Sequence, residues 1–219
     1  MPIETTYSSA RSNLASLLAR VTDDSEVGAR LAVAHLAGLG HRRIAHLDGG
    51  NGAQAAVRRR GYLAAMAGLG LAPLVVPSEY TEIGGVLGAR ALLASAPEAT
   101  AVLCANDLNA VGAIAELQDS GLRVPGDLSV VGYDNTVLAA LRHVSLTTIH
   151  QPRHQMGRLA VEVLLGRIRG ERDTVARFQL EPSLVVRKTT AAPRTHAHLG
   201  GFDVNRQESL NPQRDEVRS

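Results

Sequence analysis

Ile44-Ala45-His46-Leu47-Asp48-Gly49-Gly50-Asn51-Gly52 is the stretch that decides the fold. A short β-prone run enters an acidic, glycine-rich turn, and a helical pattern follows from about Gln54 to Leu69. The same order recurs downstream. Leu74-Val75-Val76 is a second strand, stopped by Pro77, and an Ala- and Leu-rich helix spans Gly84 to Ser95. Ala101 to Ala105 is a third strand, with a helix over Asp107 to Ser120, and Leu128 to Tyr133 is a fourth strand. Strands alternating with helices of this length predict βαβ units and a parallel sheet. The strands are nearly continuous apolar runs, which suits a sheet covered by helices on both faces. The fold class read from the sequence is therefore α/β, a Rossmann-like parallel sheet.

Two helices frame this region. Ser25 to Leu39 carries Ala29, Ala32, Val33, Leu36 and Leu39 on one face and stops at Gly40, a residue suited to the position after a helix end. Pro152 to Ile168 begins with proline, favoured at the first helical position, and bears a stripe of Met156, Leu159, Val163, Leu164 and Ile168. Val175 to Leu180 and Ser183 to Arg187 read as two short strands. Residues 1–20 are polar, with Leu14, Leu17, Leu18 and Val21 at helical spacing; they are left unassigned. Residues 191–219, poor in large apolar side chains, read as a disordered tail.

The chain has 219 residues, one generous domain or two small ones. Lys plus Arg is 23 and Asp plus Glu is 21, a net charge of +2, so a polybasic nucleic-acid surface is not the default reading. Hydrophobic residues make up 45%, enough for a sizeable core, and with aromatics at 3% that core must come from Leu, Val, Ile and Ala. No apolar run approaches the ~20 residues of a membrane span. No secretory signal opens the chain, so the expectation is a cytoplasmic protein.

Catalytic and metal chemistry find little support. There is no GxSxG, and Cys104 sits in an apolar strand, where an inert thiol is the better reading than a nucleophile. The eight histidines form no HExxH, so no metal site is expected. The Asp48–Gly52 loop matches neither dinucleotide nor P-loop glycine spacing and reads as a flexible loop at a cleft edge, with an anion cradle as the minority alternative. No cofactor is expected. More suggestive are Arg58, Asn106-Asp107 and Asp134-Asn135, at or just beyond the carboxyl ends of predicted strands, where open α/β sheets bind ligands. Together they can hydrogen-bond hydroxyls in pairs, which suits a sugar or a nucleoside. Each also fits a structural role: Asn106 or Asp107 as a helix cap, Asp134-Asn135 as turn residues, and Arg58 as part of a solvated basic run with Arg59 and Arg60.

An ordered set of motifs resembles the LacI/GalR family of bacterial transcription regulators. It comprises Ala29-Arg30-Leu31-Ala32-Val33 with His35-Leu36, then Leu39-Gly40-His41-Arg42-Arg43-Ile44-Ala45, and Arg58 with Gly61-Tyr62. It continues with Ala105-Asn106-Asp107, Gly121-Leu122-Arg123-Val124-Pro125 and Leu128-Ser129-Val130-Val131-Gly132-Tyr133-Asp134. It ends with Leu146-Thr147-Thr148-Ile149, Gln151 and Ser183-Leu184-Val185-Val186-Arg187. The resemblance covers about 21–190. It implies a periplasmic-binding-protein-like sensor domain of type I, in which a small effector between two α/β subdomains shifts the operator affinity of an attached helix-turn-helix. By motif position it implies effector contacts from Arg58, Asn106 and Asp134, an aromatic at Tyr80 stacking on the effector, and Gln151 at the crossover between subdomains.

The matching segments start where the family chain enters its second subdomain. The expectation is thus an incomplete sensor domain without its own DNA-binding part, reaching operator DNA only through a domain absent from these residues and pairing as a homodimer. A half-built site is expected to bind weakly, and the stripe on 152–168 to lack cover. The rival readings are a sugar-binding protein of a transport system and a small nucleotide-dependent α/β enzyme.

Overall fold

A computed structural model describes residues 21–169 and 178–194. The elements run β1 (Val21–Asp23), α1 (Ser25–Gly38), β2 (Ile44–Asp48), α2 (Ala53–Gly68), β3 (Leu74–Pro77) and α3 (Glu82–Ser95). They continue with β4 (Ala101–Leu103), α4 (Asp107–Asp119), β5 (Ser129–Asp134), α5 (Val137–Ala140), β6 (Thr147–His150), α6 (Arg153–Ile168), β7 (Phe178–Leu180) and β8 (Ser183–Val185). The leucine stripe expected over residues 14–21, the start of the strand read from Val175 and the tail beyond Arg194 lie outside the described residues.

Six strands form one sheet in the order β3-β2-β4-β5-β6-β8. The first five are parallel, and β8 joins β6 antiparallel, a departure from the all-parallel sheet expected. A second, two-stranded parallel sheet pairs β1 with β7. The chain passes between the two sheets at Asp24, at Gln151-Pro152 and at Glu181-Pro182, and the first passage is tied to the third by Asp24 N–H donating to Leu180 O at 3.0 Å. Two strands were not read from the sequence. β1 is three residues long, and β6 is rich in threonine, with Thr147 and Thr148 fully buried, so neither shows an apolar run.

Local chemistry sets the helix ends. Asp24, Thr81 and Asn106 accept from the backbone N–H three residues on, at 3.0, 2.9 and 2.8 Å, and start α1, α3 and α4. Three helices stop the same way, at Gly40, Gly70 and Gly121, with φ of 101°, 65° and 82°. At each, the next residue's N–H reaches back five residues: His41 to Leu36 O, Leu71 to Met66 O, Leu122 to Leu117 O. These are paired left-handed caps that glycine adopts without strain.

The sheet separates two cores. One face, with α3 and α4, buries Leu47, Val76, Leu92, Val102, Leu117 and Val130. The other, with α1 and α2, buries Val33, Leu36, Ile44, Tyr62, Leu103 and Tyr133. The covered sheet is the arrangement the apolar strands implied. After β8 the chain returns along β5: Val130 N–H donates to Thr189 O, and His41 Nε2 donates to Ala191 O at 2.8 Å. Arg194 pairs with Asp127. Residues 191–194, read from sequence as the start of the tail, are thus bonded to the domain, through histidine and arginine contacts that composition does not reveal.

Candidate functional site

The connection β2–α2–β3 runs to one side of β2, and β3–α3–β4 returns across it to the other, with α2 and α3 on opposite faces. The carboxyl ends of β2 and β4 therefore flank a topological switch point, where open α/β sheets form a crevice. Five consecutive strand ends deliver residues there: Asp48 from β2, Tyr80 after β3, Asn106 after β4, Asp134 closing β5 and Gln151 after β6. Arg58 reaches in from α2.

Arg58 is 5% exposed and organises the group. Its Nη1 donates to Ala105 O at 2.5 Å and its Nη2 to Asp134 Oδ1 at 3.3 Å. The guanidinium carbon lies 3.7 Å from the Tyr133 ring centre and 5.6 Å from that of Tyr80. Stacked guanidinium on an aromatic face is a favourable, geometrically fixed arrangement. The Tyr133 ring is seated against Gly28 of α1, where any side chain would overlap it. Gln151 Nε2 donates to the same Asp134 Oδ1 at 2.9 Å. Arg58, Asp134 and Gln151, expected from the sequence, are therefore brought together.

Asp134 and Asn135 adopt positive φ, 110° and 51°, a conformation that costs a non-glycine residue and must be held by its surroundings. Asn135 Oδ1 accepts from Arg187 Nη2 at 2.7 Å. The next residue, Thr136, is fixed by Asp107, whose Oδ2 accepts from Thr136 N–H at 2.6 Å and from its hydroxyl at 2.9 Å. Asp107 Oδ1 accepts from Thr148 Oγ1 at 2.5 Å, so this fully buried carboxylate ties α4 to β6 beneath the turn. Burial raises its pKa; the hydroxyl and amide donors oppose that shift.

Asn106 is positioned differently. Its Oδ1 caps α4 and its Nδ2 donates to Tyr80 O at 3.2 Å, so the capping role left open on sequence is the one the side chain occupies. Tyr80 lies with its ring on Gly49, where a Cβ would overlap the ring, and its hydroxyl is buried without a hydrogen-bond partner. Burial raises the Tyr80 pKa, so the group is a neutral phenol.

The sequence reading missed Tyr133 as the platform for Arg58, Asp107 as the tie under the turn, and Asp48. Asp48 had a signal in the sequence, since alternation along β2 places His46 and Asp48 on the face that α2 covers. Burial pushes the Cys104 thiol up, consistent with an inert cysteine. Among the described residues no group of three or more His, Cys, Asp or Glu could hold a metal ion, and no helix is long and apolar enough to cross a membrane.

The fold and this cluster define a class: a Rossmann-like α/β subdomain that gathers polar side chains at its switch point and is joined by three crossings to a smaller sheet. Residues 33–190 match the family described as periplasmic binding protein-like domain. Over 174 residues the chain is 39% identical to the ribose operon repressor of Haemophilus influenzae, covering 78% of this chain and 52% of that one. Over 175 residues it is 40% identical to the HTH-type transcriptional repressor PurR of Vibrio campbellii, with the same coverage. Among solved structures, a LacI transcriptional regulator from a Rhodococcus species is similar with TM-score 0.75 and 44% identity, over 78% of this chain and 63% of that one. A LacI family regulator from Enterococcus faecium with bound ribose is similar with TM-score 0.73 and 30% identity, over 79% and 65%. The chain belongs to the periplasmic-binding-protein-like domain family. It spans about half the length of the curated relatives it matches.

Proposed function

We propose that this chain is the effector-sensing part of a LacI-type transcriptional regulator, binding a sugar or nucleoside, and not an enzyme. The observation that carries this reading is the Arg58–Asp134–Gln151 network at the switch point: a planar donor fork, a carboxylate acceptor and an amide, fixed by Tyr133 before any ligand arrives. Such a set pairs with vicinal hydroxyls. Tyr80 adds an apolar ring face for a sugar or base, and Asn106 holds Tyr80 in place through its carbonyl. Gln151 stands on a passage between the two sheets, so a ligand held by Asp134 is linked to their relative orientation. The similar Enterococcus faecium regulator carries bound ribose, and the similar Haemophilus influenzae protein is a ribose operon repressor, which supports the choice of a sugar.

Operator contact through a domain outside these residues, pairing as a homodimer and a cytoplasmic location belong to the same reading. The residues named here come from one wall of a cleft, whereas well-formed pockets bury ~70–90% of a small ligand. Titration of the 219-residue chain with ribose and adenosine by calorimetry or NMR is expected to show millimolar binding that Asp134→Ala abolishes. Saturating concentrations that leave the spectra of Arg58, Tyr80 and Asp134 unmoved would overturn it.

A further inference from the structure

The end of β2 lies in the same cleft and carries a group the ligand set read from sequence did not include. Asp48 is 5% exposed. One carboxylate oxygen, Oδ2, pairs with Arg59 Nη1 of α2 at 2.8 Å; the other, Oδ1, is buried without a hydrogen bond of normal geometry, and the Gly49 and Gly50 N–H groups lie close enough to the carboxylate to favour its charged form. Gly49, the next residue, lies under the Tyr80 ring, and the Tyr80 hydroxyl is also buried without a partner. Arg58 Nε is a third such atom, in a guanidinium 5.6 Å from the same ring. Buried polar atoms are normally satisfied, and these three come from β2, the loop after β3 and α2, all around one tyrosine.

The charges close to zero at this end of the cleft. Arg58 is matched by Asp134 at 3.3 Å and Arg59 by Asp48 at 2.8 Å. Arg60 faces Glu26 instead, and Arg153 and Arg187 both bond to Asn135, on the β6 side. The glycine loop 49–52 opens α2, an end that by its exposed N–H groups and dipole attracts anions. Asp48 sits at the base of that loop and opposes the attraction. A carboxylate oxygen accepts hydrogen bonds only, so it suits a ligand hydroxyl and repels an ionised phosphate, which at neutral pH brings acceptors and negative charge.

We propose, resting on the reading of this cleft as an effector site, that Asp48 is a specificity-determining residue that restricts the site to uncharged polyhydroxy ligands, a free sugar or nucleoside, and excludes their phosphate esters. Oδ1 accepts from one ligand hydroxyl, and the Tyr80 hydroxyl bonds to a second.

The test is a matched-pair titration of the full chain at pH 8 with ribose against ribose 5-phosphate and adenosine against adenosine 5′-monophosphate. The natural chain is expected to favour each neutral ligand by about tenfold or more, the effect of like charge a few ångströms apart in a partly buried site. Asp48→Asn is expected to shift the ratio toward the ester by about tenfold, because Arg59 is then unmatched. Arg59→Gln is expected to shift it the other way; its side chain is one-third exposed, so this variant keeps the fold and decides the matter if Asp48→Asn does not. An ester bound as tightly as the free sugar, or ratios unmoved in the folded variants, would overturn the role of Asp48 alone, since binding lost in Asp134→Ala would still support the effector site. No binding of any of the four ligands would overturn the effector reading and this proposal with it.

Discussion

The Arg58 guanidinium lies 3.7 Å from the ring centre of Tyr133, and from that seat it reaches Ala105 O on one side and Asp134 on the other. Neighbours in sequence, Tyr133 and Asp134 thus do different work: the ring fixes the plane of the fork and the carboxylate takes one prong. Gly28 makes room for the ring. The cleft geometry therefore depends on three elements, α1, α2 and β5, meeting at one side chain.

Arg58→Lys is expected to lower stability by about 1–2 kcal/mol, since an ammonium cannot keep both acceptors or the stacked plane. Chemical denaturation at pH 7 measures this. A variant as stable as the natural chain would show that the charge alone suffices.

His46 ties stability to pH. It is buried on β2, its Nδ1 bonded to Leu103 O at 2.9 Å and its ring 5.2 Å from Tyr62. Burial lowers its pKa from 6.5 to about 4, and the nearby Arg58 and Arg59 charges push the same way. The folded state thus favours neutral imidazole, so the contribution is full above pH 6.5 and is lost as pH falls toward 4. Between pH 6.5 and 5 the natural chain is expected to lose about 2 kcal/mol more than His46→Gln, at 1.36 kcal/mol per pKa unit. The difference between the two proteins isolates this term from Asp48 and Asp107. Their pKa values burial raises, and their contributions are lost as pH rises instead. Parallel stability profiles of the two proteins would refute the assignment.

Asp107 serves the turn that carries Asp134. Asp107→Asn replaces one acceptor oxygen by an amide facing Thr136 or Thr148, leaving buried donors opposed, at a cost of about 2 kcal/mol. Because the turn at Asp134-Asn135 then loosens, ribose affinity is expected to fall along with stability. Thr189→Val, which removes hydroxyl bonds to Thr147 N–H and Val130 O away from the turn, should cost stability with a smaller loss of affinity. Equal affinity losses in the two variants would argue against a specific tie to the turn.

The fold was legible because local signals and tertiary structure agree. Pro77, Gly40 and the apolar runs at Ile44, Ala101 and Leu128 mark elements that the structure reproduces within a residue or two. β6 was not legible as a strand because its stability comes from buried threonines bonded to Asp107, Thr189 and Thr190, and such pairing leaves no apolar pattern. In the cleft, Arg58, Asp134 and Gln151 converge as their motifs implied. Asn106 spends both ends of its amide on the backbone, and Asp48 was passed over because an acidic residue before glycines reads as a turn. Its pairing with Arg59 requires the register of β2 against α2, which no short-range pattern encodes.

The helix α6 is expected to be the least protected helix among the described residues. None of its side chains joins either buried core. Met156, Leu159, Val163 and Leu164 of the stripe read from sequence are half-buried, while Ile168 is 72% exposed, with Val161 and Leu165 beside it at 55% and 43%. Fully burying such side chains contributes ~1.5–3 kcal/mol each, and at Val161, Leu165 and Ile168 much of that is unrealised. Helical structure without such packing is marginal in water, so the backbone amides of α6 should open locally rather than with the whole domain. Hydrogen exchange is expected to show 153–168 exchanging well before α1 and the strands β2, β4 and β5. Replacing Leu165 and Ile168 together by lysine should leave the unfolding midpoint within about 0.5 kcal/mol of the natural chain, as for exposed sites generally. Leu36→Ala, in the α1 core, should cost about 3 kcal/mol. The same lysine pair should lower self-association, measured by sedimentation, because exposed apolar patches drive it. Protection of 153–168 equal to that of α1, together with a large loss of stability in the lysine pair, would show that this face is covered in solution and that the helix belongs to the cooperative core.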